Sequence, residues 1–317
     1  MRSRRLRHWL VLAVTYLAVC TVGGIVVADG TLHPVRRALT NEEAADFRHA
    51  LETLHSEMQE ESITTSDGVP LRGWILRPQH DNNDAVMLLH GLADNRLGMS
   101  GYAQLFLAHG FTVLMPDARA HGESGGTVAT YGLLERDDIH QWVDFLHNQP
   151  HARCVYGLGE SMGAAELLQS LATDAKFCSV VAESPFSTFR EVAYDRMGQP
   201  FHLGPWAGRT VLRPLIEAAF LRARWKYGFD MQRISPEDAA ANSRVPVLLI
   251  HGVIDSNIPV RHSRLIHQLN PATELWEVPG ADHCGAIAVA PEEFNKRVLN
   301  WFARSPTVAE VGTGVSR

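Results

Sequence analysis

The fold is decided by residues 154–168, which read CVYGLGESMGAAELL. A β-rich run enters this stretch and a helix-forming run leaves it, so the motif G-x-S-x-G at 159–163 lies at a strand-to-helix turn. The turn is too tight for side chains at its flanks, which explains a glycine on each side of Ser161. We therefore predict that its hydroxyl projects from the carboxyl edge of a sheet, beside the free N–H groups and positive dipole end of a helix.

An acid and a histidine follow this serine along the chain, each just past a predicted strand. The apolar run 245–250 ends at a turn, and Asp255 follows it. The strand-like run 273–278 ends in a loop that carries His283. Serine, acid and histidine in this order make up a known arrangement for nucleophilic catalysis. The sequence therefore predicts that Ser161, Asp255 and His283 act together.

Strands and helices alternate through most of the chain. This alternation predicts an α/β fold, with a mostly parallel, twisted sheet and helices on both faces. An antiparallel hairpin around residues 66–68 begins the sheet, and a helix starting at Thr40 precedes it.

The stretch 187–243 breaks the alternation, because no clear strand occurs in it. Inserted between two strands, it should form a small helical cap. Its large apolar side chains either line an acyl or aryl pocket or only pack the cap onto the body. They are Met197, Phe201, Trp206, Leu212, Leu215, Phe220, Trp225, Tyr227 and Phe229.

The N-terminus has the pattern of a membrane segment. Arg2, Arg4, Arg5 and Arg7 precede an uncharged run over residues 9–28, which is long enough to cross a bilayer as one helix. The positive-inside rule predicts a membrane-anchored protein with its catalytic domain outside the cytoplasm. The alternative is a signal peptide that is cleaved after Ala28 to give a secreted protein. A buried core helix fits poorly, since the run is apolar all round.

These features divide the 317 residues into four segments. Residues 1–28 form the anchor or signal, and 29–62 form a linker and helix. The α/β domain covers 63–305, with the cap at about 187–243, and 306–317 form a C-terminal tail. We treat the first segment as separate from the domain.

Charge and motif content exclude several classes of function. The net charge of −6, without a long basic stretch outside the N-terminus, gives no reason to expect nucleic-acid binding. H-E-x-x-H, C-x-x-C and P-loop patterns are absent, so we expect no metal, nucleotide or other cofactor. We also expect no structural disulfide, with Cys154 and Cys178 as free thiols in central strands and Cys284 beside His283. Oligomeric state is left open.

Taken together, the motifs resemble the α/β-hydrolase superfamily over about residues 63–305. The branch looks like the anchored serine hydrolases of the ABHD-type and Bem46-like group, with some likeness to the prolyl-oligopeptidase-like hydrolases. The motifs that carry the resemblance are HGLADNR at 90–96, DARAHGES at 117–124, GESMG at 159–163, HGVID at 251–255 and DH at 282–283.

The resemblance implies a role for each residue. Ser161 would be the nucleophile, His283 the base that takes its proton, and Asp255 the acid that orients the histidine. The backbone N–H groups of Met162 and Leu92 would form the oxyanion hole. Asp282 is the alternative acid, but neighbouring residues on a loop rarely aim at each other.

Other polar residues near these motifs are interpreted as supports. We expect His90 to brace its loop, and Asp117 and His121 to build a structural loop near the site. Glu160 should hydrogen-bond nearby backbone. Supporting roles are also expected for Glu183 and Ser184 beside the triad, and for Tyr131 and Glu135 in packing and capping.

The function predicted is that of a serine hydrolase that works through an acyl-serine intermediate. Its partner would be a small-molecule ester or acyl substrate, and its membrane contact would be the N-terminal segment. The activity that we favour is carboxylic ester hydrolysis, and the alternatives are those of a thioesterase or a small-peptide hydrolase. A non-catalytic binding relative fits less well, because degenerate relatives usually lose the serine or histidine.

Overall fold

The computed structural model describes residues 2–149, 153–173 and 176–304. The predicted tail at 306–317 lies outside these residues. The chain divides into two compact units. Met1–His33 and Thr188–Ile234 make up the first, which we call the helical unit. Pro34–Ser187 and Ser235–Arg317 make up the second, which we call the sheet unit.

The sheet unit contains eight strands in the order β1-β2-β4-β3-β5-β6-β7-β8. β1 and β2 form the predicted hairpin, β2 runs antiparallel to β4, and the remaining pairs are parallel. The strands are β1 (Glu57–Thr64), β2 (Pro70–Arg77), β3 (Asp84–Leu89), β4 (Thr112–Pro116), β5 (Cys154–Glu160), β6 (Ser179–Glu183), β7 (Val247–Gly252) and β8 (Glu274–Val278).

Helices precede, connect and follow these strands. They are α1 (Arg2–Leu32), α2 (Asn41–Glu52), α3 (Ser100–Leu107), α4 (Glu135–His147), α5 (Met162–Ser170), α6 (Phe189–Gly198), α7 (Gly204–Arg209), α8 (Arg213–Arg222), α9 (Pro236–Ala241), α10 (Arg261–Leu269), α11 (Ala286–Val289) and α12 (Pro291–Ala303). α2 begins with a capping box between Thr40 and Glu43, as its sequence suggests.

Two hydrophobic cores form around the sheet. α3 and α12 contribute to the first, through side chains such as Phe106 and Phe302. α4 and α5 contribute to the second, through Trp142 and Leu168. Strands β3, β6 and β7 are buried along their whole length, as expected where helices cover both faces of a parallel sheet. The predicted fold class is therefore confirmed.

Strand order brings the functional loops together. β5 lies between β3 and β6, with Leu89 opposite Gly159, and β6 is followed by β7 and β8. Because these five strands are parallel, the loops that follow them leave the same edge of the sheet. The motifs at 90–96, 159–163, 251–255 and 282–283 all lie at or just after the carboxyl ends of these strands.

The structure contains a disulfide that we did not expect. Cys154 opens β5, Cys178 directly precedes β6, and the two are bonded with their Cα atoms 5.8 Å apart. Our assignment of both as free thiols is wrong. Their strands are adjacent, and the N–H of Cys178 donates to the carbonyl of Val155, so the two thiols face each other. Cys20 and Cys284 are free.

The N-terminal segment is also less separate than we expected. α1 continues to Leu32 and lies in one compact unit with Thr188–Ile234. It packs along α8, so closely that a side chain at Gly24 would reach within 2.5 Å of the carbonyl oxygen of Leu215. Most of its side chains are nevertheless exposed, and α1 is long and apolar enough to cross a membrane or to act as a signal sequence.

Candidate active site

Ser161 lies between β5 and α5 in a backbone conformation that few residues adopt. Its φ is +52° and its ψ is −114°, and its N–H donates to the carbonyl oxygen of Glu183 on β6 at 2.8 Å. A Cβ at Gly159 would come within 2.6 Å of the backbone of Gly163. One at Gly163 would come within 2.4 Å of the carbonyl oxygen of Leu89 on β3. Close backbone approach therefore explains both glycines of the motif.

His283 lies against this serine. Its Nε2 is 2.8 Å from the Oγ of Ser161, although the two residues are 122 positions apart in the chain. Its Nδ1 is 2.8 Å from the Oδ2 of Asp255. The structure thus places hydroxyl, imidazole and carboxylate in one line of hydrogen bonds, in which the hydroxyl can transfer its proton to the ring.

Asp255 is held by both of its oxygens. Oδ1 accepts the backbone N–H groups of Asn257 at 2.9 Å and Ile258 at 2.8 Å, which leaves Oδ2 for the ring of His283. Burial alone would raise the pKa of Asp255, but hydrogen bonds from His251 and His283 hold it well below its usual range. Asp255 is therefore a carboxylate at neutral pH, suited to stabilising an imidazolium.

The carboxylate of Asp282, the alternative acid, forms its hydrogen bonds with groups other than the imidazole of His283. Its Oδ1 accepts the N–H and hydroxyl of Ser256, at 2.8 and 3.0 Å, and the backbone N–H of His283 at 2.8 Å. These contacts fix the loop on which the histidine is carried.

The sequence interpretation gave no role to His251, which the structure places beside this acid. Its Nε2 is 2.7 Å from the carbonyl oxygen of Ile258 and 3.3 Å from the Oδ2 of Asp255, so this nitrogen carries a proton. Its Nδ1 is 2.7 Å from the hydroxyl of Ser263. The signal available in the sequence was a histidine at the end of a fully buried strand, four residues before the acid.

The two predicted oxyanion donors belong to Met162, which follows the serine, and to Leu92, whose neighbour Gly91 approaches it. Met162 is the first residue of α5, and the first N–H groups of a helix have no partner within it. Leu92 lies in the loop after β3, where a Cβ at Gly91 would be 3.6 Å from the Cβ of Ser161.

The remaining residues of the two upstream motifs build loops. The backbone N–H of Ala118 donates to the Nε2 of His90 at 3.1 Å, which ties the loop after β3 to the loop after β4. Asp117 is buried and accepts the backbone N–H groups of Arg96 and Glu123. The ring of His121 lies 5.3 Å from that of His90. The structure thus keeps Asp117 and His121 out of the serine–histidine–aspartate chain.

Two carboxyl groups lie in or beside the serine motif, the half-buried Glu160 and the buried Glu183. Glu160 accepts the N–H of Gly91, and Glu183 accepts the N–H of Ala286 at 3.0 Å. The hydroxyl of Tyr102 joins them, at 3.4 Å from Glu160 and 2.9 Å from Glu183. Burial raises the pKa of Glu160 to about 8 and also raises that of Glu183. We missed Tyr102, because a tyrosine on a predicted helix carries no sign of such a contact.

Ser184, Cys284 and Glu135 also have structural contacts. The hydroxyl of Ser184 accepts the N–H of Cys284 at 3.3 Å, and burial raises the pKa of the Cys284 thiol. Glu135 is the first residue of α4 and accepts the N–H groups of Thr130 and Gly132, so it fixes the loop that contains Tyr131. The expected capping role is not found, because among the described residues no side chain caps the start of α4. Within residues 2–149, 153–173 and 176–304, three or more His, Cys, Asp or Glu side chains nowhere form a group that could hold a metal ion.

Comparison with known proteins shows the family of this chain. The family model described as "Alpha/beta hydrolase family" matches residues 86–297, which include all three residues of the chain of hydrogen bonds. The uncharacterized protein YqkD of Bacillus subtilis is 31% identical over 247 residues, covering 76% of this chain and 77% of YqkD.

Two groups of solved structures are similar as well. The Pyrococcus furiosus esterase Pf2001 superposes with a TM-score of 0.67 at 27% identity, covering 86% of this chain and 99% of the esterase. The Pyrococcus horikoshii acylaminoacyl peptidase gives a TM-score of 0.59 at 20% identity, covering 79% of this chain and 42% of the peptidase. The second likeness concerns the fold alone.

Proposed function

The chain belongs to the alpha/beta hydrolase family, and from this premise we propose that it is a serine hydrolase that cleaves carboxylic esters through an acyl-serine intermediate. One observation carries the proposal: Ser161, His283 and Asp255 are joined by two hydrogen bonds of 2.8 Å. The likeness to an esterase over nearly its whole length favours an ester over other acyl substrates.

In the first half of the reaction, the Oγ of Ser161 attacks the carbonyl carbon of the ester. The Nε2 of His283 takes the hydroxyl proton, and Asp255 stabilises the imidazolium at Nδ1. The carbonyl oxygen becomes an oxyanion, which the N–H groups of Met162 and Leu92 stabilise. His283 then returns its proton to the leaving alcohol, and the acyl group stays on the serine.

In the second half, His283 takes a proton from water, which attacks the acyl carbon. A second oxyanion forms at the same donors and collapses, releasing the acid and restoring the serine hydroxyl. Burial and two backbone N–H donors fix the carboxylate of Asp255 through both halves, so the histidine keeps its orientation.

A labelling experiment tests the proposal. A fluorophosphonate probe should modify the wild type at Ser161, and Ser161→Ala should abolish both labelling and ester turnover while the protein remains folded. Aryl esters, acyl-thioesters and aminoacyl anilides should be compared under the same conditions. Anilide or thioester hydrolysis faster than ester hydrolysis would favour the peptidase or thioesterase alternative. Labelling that persists in the Ser161→Ala variant would refute the nucleophile.

We also propose that the protein is anchored by α1 with its sheet unit outside the cytoplasm. The arginine-rich start of α1 supports this orientation. The disulfide between Cys154 and Cys178 is an independent support, because such bonds persist in oxidising compartments. N-terminal sequencing of membrane-extracted protein tests the anchor, and a mature terminus at Asp29 would identify a cleaved signal instead.

A further inference from the structure

Three aromatic side chains of the helical unit face outward. Trp225 is 82% exposed, Phe201 63% and Trp206 60%, among the residues that we expected to line a pocket or pack a core. Three aliphatic neighbours are exposed as well: Leu203, Val211 and Leu221. Large aromatic side chains on a soluble surface are uncommon unless that surface contacts a partner or a membrane. We call these six residues the apolar surface.

The segment that carries the apolar surface is basic. Thr188–Ile234 contains eight arginine and lysine residues but four aspartate and glutamate residues, in a chain whose net charge is −6. Glu217 is paired with Arg190, and Glu191 is paired with Arg209. Basic side chains beside tryptophan are typical of surfaces that bind anionic lipid headgroups.

The packing of α1 fixes where this surface lies along the helix. At one end, the hydroxyl of Tyr16 donates to the carbonyl oxygen of Val211. At the other, the carboxylate of Asp29 binds Arg222 at 3.2 Å and Lys226 at 3.3 Å. Thirteen residues of α-helix separate Tyr16 from Asp29, a rise of about 20 Å.

The contacts of α1 with Thr188–Ile234 begin within the stretch of α1 that would cross the bilayer, and not beyond it. The uncharged run at 9–28 is about 30 Å long, which matches the hydrocarbon thickness. Only residues 9–15, about 10 Å of helix, precede the contact at Tyr16. If α1 crosses the bilayer, the chain near Val211 lies within it, and the chain near Arg222 lies at its outer surface.

We propose that the apolar surface contacts lipid, so that Thr188–Ile234 is embedded in the membrane beside α1. The hydroxyl of Thr210, the residue before Val211, donates to the carbonyl oxygen of Trp206, so we place Trp206 near the depth of Val211, among the acyl chains. Trp225 follows Arg222 by three residues and lies at the headgroups, where tryptophan is enriched. The inference rests on α1 being in the membrane and is independent of the reaction catalysed.

Brominated lipids test both the contact and its depth. The full chain is placed in phosphatidylcholine vesicles that contain some phosphatidylglycerol, with bromine either near the headgroup or deep in the acyl chains. Trp9→Phe first removes the tryptophan of α1. In that background, Trp225→Phe leaves Trp206 as reporter, and Trp206→Phe leaves Trp225. The other four tryptophans belong to the sheet unit and stay constant: Trp74, Trp142, Trp276 and Trp301.

Deep bromine should quench Trp206 more strongly, and shallow bromine should quench Trp225 more strongly. Replacing both should remove the quenching that remains after Trp9→Phe. Fluorophosphonate labelling checks that each variant is folded. Unchanged quenching in the double replacement, or the reverse order of depth, would overturn the proposal. Absence of quenching together with chemically cross-linked dimers would overturn it too, because a second copy would then cover the surface.

Discussion

Replacing Asp255 with asparagine should stop catalysis by reversing one hydrogen bond. The two backbone N–H groups at Oδ1, from Asn257 and Ile258, require an oxygen opposite them. The amide of Asp255→Asn must therefore keep its oxygen there and place its NH₂ where Oδ2 was. That NH₂ faces Nδ1 of His283, which must accept its hydrogen bond. The ring proton then sits on Nε2 and faces Ser161, so the histidine cannot take the serine proton.

The size of the effect follows from this change of tautomer. In a serine protease the same substitution lowers kcat by about 10⁴, because the ring is held in the wrong tautomer. At 1.36 kcal/mol per tenfold, this loss is about 5.5 kcal/mol of transition-state stabilisation. The proton on Nε2 of His251, 3.3 Å from the lost Oδ2, adds a repulsive contact with the new NH₂. We therefore expect a loss of kcat of at least about 10⁴.

The assay is aryl-ester turnover by the full chain in detergent, with Asp282→Asn as the matched control. The Oδ1 of Asp282 accepts three hydrogen bonds, from Ser256 and from the backbone of His283, and no hydrogen bond joins this carboxylate to the imidazole. Asp282→Asn should therefore lower kcat by less than about tenfold. Circular dichroism checks that both variants are folded. Equal losses in the two variants, or a larger loss in Asp282→Asn, would refute the choice of acid.

Three further predictions concern the surroundings of the serine. Glu160→Gln imitates the protonated carboxyl, so kcat/KM should be near the wild-type value at neutral pH. The wild type should lose activity as pH rises through about 8, because Glu160 then ionises and adds a negative charge next to Ser161 in the chain. The variant should keep its activity over the same range, and a profile that falls equally in both contradicts this. Gly163→Ala puts a methyl group 2.4 Å from a carbonyl oxygen of β3. The substitution should lower the free energy of unfolding by about 1–3 kcal/mol, measured by thermal denaturation. It should also lower the rate of ester turnover, measured by steady-state kinetics. The double replacement Cys154→Ser and Cys178→Ser removes a disulfide between residues 24 positions apart. It should lower the free energy of unfolding, measured by chemical denaturation, by about 3 kcal/mol. An unchanged denaturation midpoint would show that the bond does not form.

Local patterns in the sequence were enough to predict the strands and the serine motif. β3, β5, β6 and β7 are continuous apolar runs bounded by turns, and the conflict between side chains and a tight turn explains Gly159 and Gly163. Chain order indicated the acid and the histidine. The preference for Asp255 over Asp282 stays a prediction; in the structure the carboxylate of Asp255 contacts the ring of His283, whereas that of Asp282 contacts its backbone N–H.

Long-range contacts were not predictable in the same way. Tyr102 reaches Glu183 across 81 positions, and neither residue signals the other. His251 was visible at a strand end, but its contact with Asp255 depends on how the following turn closes. The helical stretch gave no periodic pattern, so we expected its aromatic side chains to be internal, whereas Trp206 and Trp225 are exposed.

The missed disulfide shows which piece of information was lacking. Residues 24 positions apart have no preference to pair until the sheet order is known, and an odd number of cysteines beyond the anchor argued against a bridge. Once β5 and β6 are neighbours in parallel, Cys154 and Cys178 occupy adjacent strand starts, and the bond becomes geometrically possible. A cytosolic protein would keep such thiols reduced. The bond and the arginines of α1 therefore support the same orientation by unrelated chemistry, so reduction of the bond in freshly isolated protein would count against the extracytoplasmic placement as well.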